Sequence, residues 1–128
     1  VKLLLDTHAF LWFVEGKEDL SAAALRAILD EANLLFLSPA SYWEICVKLS
    51  IGKLVLADGW PRLFEREIRR NGIRWLDLKP EHFRGIIDLP FLHRDPFDRL
   101  LVAQAIQERC ALVTGDPWIP RYGVKTVW

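Results

Sequence analysis

The sequence predicts an α/β fold, a mostly parallel five-stranded sheet flanked by helices. Three observations carry that prediction. Short apolar runs alternate with longer stretches of helical periodicity along the chain. Two of those stretches open on a polar residue followed by proline, Ser38-Pro39 and Asp95-Pro96, which is the chemistry of an N-cap and a first helical turn. Turn residues such as Asn71-Gly72 and Gly115-Asp116-Pro117 stand where one kind of element must give way to the next.

The elements follow in order. Lys2–Leu5 is a strand closed by Asp6, followed by a helix over about Ala9–Glu15 that Gly16 breaks. Ser21–Glu31 is helical, with Leu25, Ile28 and Leu29 on one face and Arg26, Asp30 and Glu31 on the other. Leu34–Leu37 is the second strand, and Ser38-Pro39 starts a helix running to about Ser50, stopped by Gly52. Trp60–Asn71 is amphipathic, Ile73–Leu78 a strand, and Lys79-Pro80 opens a helix to about Asp88. Past the loop Leu89–Arg94, Asp95 caps a long helix to about Arg109; Ala111–Thr114 and Val124–Val127 complete the strands. Helical crossovers make such strands parallel but do not set their order.

At 128 residues and 52% apolar, the chain is expected to fold as a single domain over residues 1–128. Lysine plus arginine equals aspartate plus glutamate, 17 against 17, which excludes a generally basic nucleic-acid coat protein and requires any such role to be local. The longest apolar run, Ala9–Val14, falls far short of the roughly 18 residues of a membrane span, so no membrane association is expected. Cys46 and Cys110 are isolated, read as core thiols, and suit a reducing cytoplasm.

The chemistry lies in the acids. Asp6 follows the first strand, Glu44 lies in the helix after the second, Asp98 in the first turn of the helix capped by Asp95, and Asp116 just past the fourth strand. In an open parallel sheet all of these positions face the carboxyl edge, where ligands bind. Carboxylates gathered there need a cation, and an all-oxygen donor set selects Mg²⁺ or Mn²⁺. Each acid also has a purely structural account: Asp6 ends a strand, Glu44 completes a capping box with Ser41 and pairs with Lys48, Asp98 favours a helix N-terminus, and Asp116 belongs to a turn. Their joint placement carries the functional reading.

The segments Leu3-Leu4-Leu5-Asp6-Thr7-His8, Ser41-Tyr42-Trp43-Glu44-Ile45, Asp95-Pro96-Phe97-Asp98-Arg99-Leu100-Leu101-Val102-Ala103-Gln104-Ala105 and Leu112-Val113-Thr114-Gly115-Asp116 resemble those of PIN-domain proteins. More narrowly, they resemble the VapC-type toxins of bacterial toxin–antitoxin pairs. The resemblance runs from Leu3 to Tyr122-Gly123-Val124, and its stretch from Asp95 to Ala105 is the most specific. It implies a PIN-like, Rossmann-like sheet and a Mg²⁺- or Mn²⁺-dependent endoribonuclease that hydrolyses RNA phosphodiesters and leaves a 5′-phosphate. It also implies neutralisation by a cognate VapB-like antitoxin, and a homodimer. Asp6, Glu44, Asp98 and Asp116 match the family's acidic, metal-binding quartet, and Thr7 and Thr114 its hydroxyl positions. The pattern gives no role to His8, Lys48, His93 or Asp95.

By sequence Arg94, Arg99 and Arg121 flank the acids and are candidates for phosphate contact, whereas Arg62, Arg66, Arg69 and Arg70 form a helical stripe with an equally good account as a solvated face. Phe10, Trp12 and Phe13 read as core or interface rather than as a base-stacking platform. One rival reading is a phosphatase with an aspartyl nucleophile after the first strand, which wants a second aspartate where His8 stands; the other is a non-catalytic acidic-pocket module, a phospho-receiver or metal sensor. A receiver wants an acceptor aspartate after a central strand, and Asp77 is the only nearby candidate.

Overall fold

A computed structural model describes residues 1–128. The chain runs β1 (Lys2–Leu5), α1 (Thr7–Glu15), α2 (Ala22–Leu29), β2 (Leu34–Leu37), α3 (Pro39–Ser50), α4 (Trp60–Arg70), β3 (Arg74–Trp75), α5 (Pro80–Gly85), α6 (Pro96–Glu108), β4 (Ala111–Val113) and β5 (Thr126–Val127). Short 3₁₀ turns at Ile86–Asp88 and Ile119–Tyr122 join the later elements. The strands pair in the order β3-β2-β1-β4-β5, and every pairing is parallel. No helix is long and apolar enough to cross a membrane.

This order places the functional edge. The chain leaves β1 towards β2 on one side and later returns to β4 on the other, so a crevice opens between the carboxyl ends of β1 and β4. Leu5 stands opposite both Leu37 and Val113, so Asp6, Ser38 and Thr114 leave the sheet at one level. The Asp6 N–H donates to Val113 O at 3.1 Å and carries the ladder one residue further.

The central strand is buried on both faces, which explains its unbroken apolar sequence. Leu3 and Leu5 pack with Phe10, Ile28, Leu37, Ile45 and Phe64 under α1–α4, while Leu4 packs on the opposite face with Leu101, Val102, Leu112 and Ile119. Phe10 has no exposed surface and meets Phe64 edge-on, ring centroids 5.1 Å apart. Phe10→Ala is therefore expected to cost about 3–5 kcal/mol, measurable by urea denaturation.

Several boundaries differ from the sequence expectation for identifiable reasons. α1 starts at Thr7 rather than about Ala9, because the Asp6 carboxylate caps it by accepting from Ala9 N at 2.7 Å. α2 is shorter than Ser21–Glu31: Ser21 is its N-cap, accepting from Ala24 N, and Asp30 ends it. β3 covers Arg74–Trp75 instead of Ile73–Leu78, since the Leu76 carbonyl is taken by the Gln104 side chain at 2.8 Å. The helix expected to reach Asp88 tightens into its 3₁₀ turn after Gly85, and β5 shortens to Thr126–Val127. Cys110 is buried as expected; Cys46 is exposed, on the outer face of α3.

Candidate active site

At the carboxyl edge of β1 and β4 lies an acidic cavity of about 490 Å³. Asp6, Glu44, Asp98 and Asp116 all line it, and Asp19 and Asp95 add two further carboxylates. Four separate elements deliver the quartet. Asp6 is fixed by capping α1. Glu44, 2% exposed, projects from the second turn of α3, where Thr7 Oγ1 donates to its Oε1 at 2.6 Å and Lys48 Nζ lies 2.7 Å from its Oε2. The i,i+4 pair with Lys48 is thus present, but the capping box is not: α3 is capped by Ser38, and the Ser41 hydroxyl is buried inside the helix without a partner.

Asp98 sits in the first turn of α6 behind the Asp95 cap, whose Oδ1 accepts from the N–H groups of Phe97 and Asp98 at 2.9 and 3.1 Å. Asp116 is held by its own turn: its N–H donates to Thr114 Oγ1 at 3.1 Å, and its Oδ1 accepts from Trp118 N at 2.8 Å. The two threonines thereby act on the acids, Thr7 on Glu44, and Thr114 on both the Asp116 turn and the Asp6 carboxyl.

The electrostatics record the crowding. Asp98 is pushed up to about 8, first by burial and then by the negative charges of Asp95, Glu44, Asp6 and Asp116. Burial also raises Asp6, against hydrogen bonds from Thr114 and Ala9 and the nearby His8, with Glu44 adding to the rise. Lys48 is the one ammonium in the cavity lining, and it is committed to Glu44. Carboxyls buried and crowded together in this way, presented as an all-oxygen donor set, fit a hard divalent cation such as Mg²⁺ or Mn²⁺.

His93, Asp98 and Asp116 each bring one ligand atom within 4.8 Å of the others. The hydrogen bonds nevertheless assign His93 a different part. Arg99 Nη1 donates to the Tyr122 hydroxyl at 3.1 Å, and that hydroxyl lies 2.6 Å from His93 Nδ1. His93 Nε2 lies 3.4 Å from Asp98 Oδ2, so the imidazole bridges Tyr122 and Asp98 and holds that carboxyl in place.

Arg99 departs from its expected place as a phosphate contact. It is 6% exposed, and its guanidinium is turned into the protein, donating to Pro90 O, Tyr122 Oη and Ile86 O. One residue past Asp98 in the first turn of α6, it points about 100° round the helix from that acid, and there it anchors the loop that carries His93. The stripe Arg62, Arg66, Arg69 and Arg70 is a solvated face of α4 outside the cavity lining. Arg121 lies over the Trp118 ring at 4.5 Å, and Asp77 follows the edge strand β3, away from the cavity. Sequence reasoning missed Asp19, Trp12 and Trp128 as lining residues. Asp19 sits in a loop with no periodic signal, and the two tryptophans meet only through the fold.

The fold so described is that of a PIN domain. The PIN-domain family model matches residues 3–125. Ribonuclease VapC22 of Mycobacterium tuberculosis is 30% identical over 118 residues, covering 89% of this chain and 86% of that protein. Among solved structures, VapBC2 from Rickettsia felis, bound to a DNA fragment from its promoter, superposes with a TM-score of 0.71 at 16% identity, over 98% of this chain and 97% of that one. FitAcB from Neisseria gonorrhoeae superposes with a TM-score of 0.60 at 18% identity, over 97% and 95%. The chain belongs to the PIN-domain family, and within it to the VapC type.

Proposed function

We propose that this chain, as one PIN domain over residues 1–128, is a metal-dependent endoribonuclease toxin of the cytoplasm, held in check by a cognate VapB-like antitoxin and working as a homodimer. One observation carries the reading. Four buried or half-buried carboxylates converge at the crevice between β1 and β4, with Asp98 holding its proton up to about pH 8. The name of the M. tuberculosis relative supports ribonuclease chemistry, and the VapBC2 neighbour supports an antitoxin partner.

Asp6, Glu44, Asp98 and Asp116 would hold Mg²⁺ or Mn²⁺. When bound, such an ion supplies charge neutralisation at a phosphodiester and acidifies water at neutral pH. The chain's own residues do the positioning. Thr7 and Lys48 fix the two Glu44 oxygens, Thr114 sets the Asp116 turn and bonds Asp6, and His93 steadies Asp98. Preorganisation of this kind costs no rearrangement at the moment of reaction.

Incubating the purified protein with total bacterial RNA tests the reading: cleavage products bearing 5′-phosphates are expected with Mg²⁺ or Mn²⁺ and none in EDTA. Intact RNA under all conditions overturns it. Mn²⁺ at a hundred times its Kd should also stabilise the fold by about 2.7 kcal/mol, visible as a rise in Tm, and Asp6→Asn should lose most of that rise. An unchanged wild-type Tm would show that no ion binds.

A further inference from the structure

The acidic cavity has one wall of a different character. Trp12, from α1, and Trp128, just past β5, line it beside the carboxylates. Their indoles lie 5.8 Å apart with planes inclined at 54°, and His8 extends the wall at 5.4 Å from Trp12. Trp128 is 39% exposed and Trp12 is partly buried, so aromatic surface faces the space in which the acids converge. Gly115, the residue before Asp116, makes room for the wall: a Cβ there would stand 2.6 Å from Trp128 Cε2.

RNA reaching this cavity meets an electrostatic difficulty. Its lining carries Asp6, Asp19, Glu44, Asp95, Asp98 and Asp116, against the single paired ammonium of Lys48. Without a cation among these acids, the phosphate backbone, which supplies most affinity in nucleic-acid binding, is repelled here, and a bound ion would neutralise only the phosphate beside it. The base gains from the wall with or without an ion, because every base has a π-face and stacks on indole.

We propose that Trp12 and Trp128 form a nucleobase-stacking subsite, holding the base next to the phosphodiester to be cut. The proposal rests on the ribonuclease reading and deepens it. Stacking gives position and favours larger bases over smaller ones, without reading hydrogen-bonding edges. The sequence expectation for Trp12, core or interface rather than base stacking, holds for its inner face, which packs against the core under α1, and is set aside for the face that lines the cavity.

Indole NMR of the metal-free protein tests the subsite directly. Adenosine or uridine should shift the Trp12 and Trp128 indole signals and leave those of Trp43, Trp60, Trp75 and Trp118 in place, while ribose shifts none. No shift at either residue, or an equal shift with ribose, overturns the subsite and makes the wall a protein-facing surface. In RNA cleavage, Trp128→Ala should raise KM about 5- to 150-fold with kcat little changed, and Trp128→Phe should recover most of the loss. Gly115→Ala, which keeps the indole but pushes it aside, should raise KM in the same direction. Unchanged KM in Trp128→Ala overturns the subsite while the nuclease reading stands. Indole shifts from a protein that cuts no RNA would leave the subsite standing and end the nuclease reading.

Discussion

Asp98→Asn is expected to abolish RNA hydrolysis, by at least about 100-fold in kcat, and at the same time to raise the Tm of the metal-free protein at neutral pH. The two effects have one cause. Burial first, and then the negative charges of Asp95, Glu44, Asp6 and Asp116, push the Asp98 carboxyl up to about 8. The unfolded chain ionises this group freely from about pH 4 upwards, so at pH 7 the folded state bears a cost that asparagine removes. The amide keeps the shape and the hydrogen bond to His93 but cannot serve as a hard anionic ligand. Expression of the wild type should arrest bacterial growth, and the variant should relieve the arrest at undiminished protein level. A variant that remains toxic, or one that melts below the wild type, would show Asp98 to be no more than a helix-terminus residue.

Metal-free protein should also lose stability as pH rises. The folded pKa of Asp98, about 8, lies above the ordinary aspartate value of 3.8, so between these limits the native state holds a proton that the unfolded state has released. The contribution of this group is therefore fully present below about pH 4, declines through the window, and levels off above pH 8. Asp6, raised mainly by burial, acts in the same direction. Thermal melts of wild type and Asp98→Asn from pH 4 to 9 isolate the contribution as the difference between the two curves. Saturating Mn²⁺ should remove the decline, because a cation takes over the work of the proton. Parallel wild-type and variant profiles would show that Asp98 ionises normally.

Much of this architecture is legible in the sequence where local chemistry agrees with the fold. β1, β2, α3 and α6 announce themselves through apolar runs and the Ser38-Pro39 and Asp95-Pro96 starts. The edge strands β3 and β5 are overestimated, since their length is decided by what the neighbouring backbone and Gln104 take up rather than by their own apolar character. Strand order has no local signature at all. Asp6, Glu44, Asp98 and Asp116 could be placed at one edge because each follows a strand or lies in the first two turns of a helix. Arg99 could not be placed, because a guanidinium beside an acid in sequence reads as a ligand contact until its helix face is known. The Tyr122–His93–Asp98 chain and the Trp12–Trp128 wall join residues far apart in the chain, and only packing brings them together.

Asp6 is the last rung of the β1–β4 ladder, the cap of α1 and a wall of the acidic cavity. Asparagine caps a helix about as well as aspartate, through the same side-chain oxygen. A single transition in the first base of an aspartate codon gives asparagine. On the proposed function, the shortest genetic escape from this chain's toxicity therefore yields a folded protein rather than debris. Such escapees would persist in a population as decoys, occupying the antitoxin and its regulatory traffic while cutting nothing.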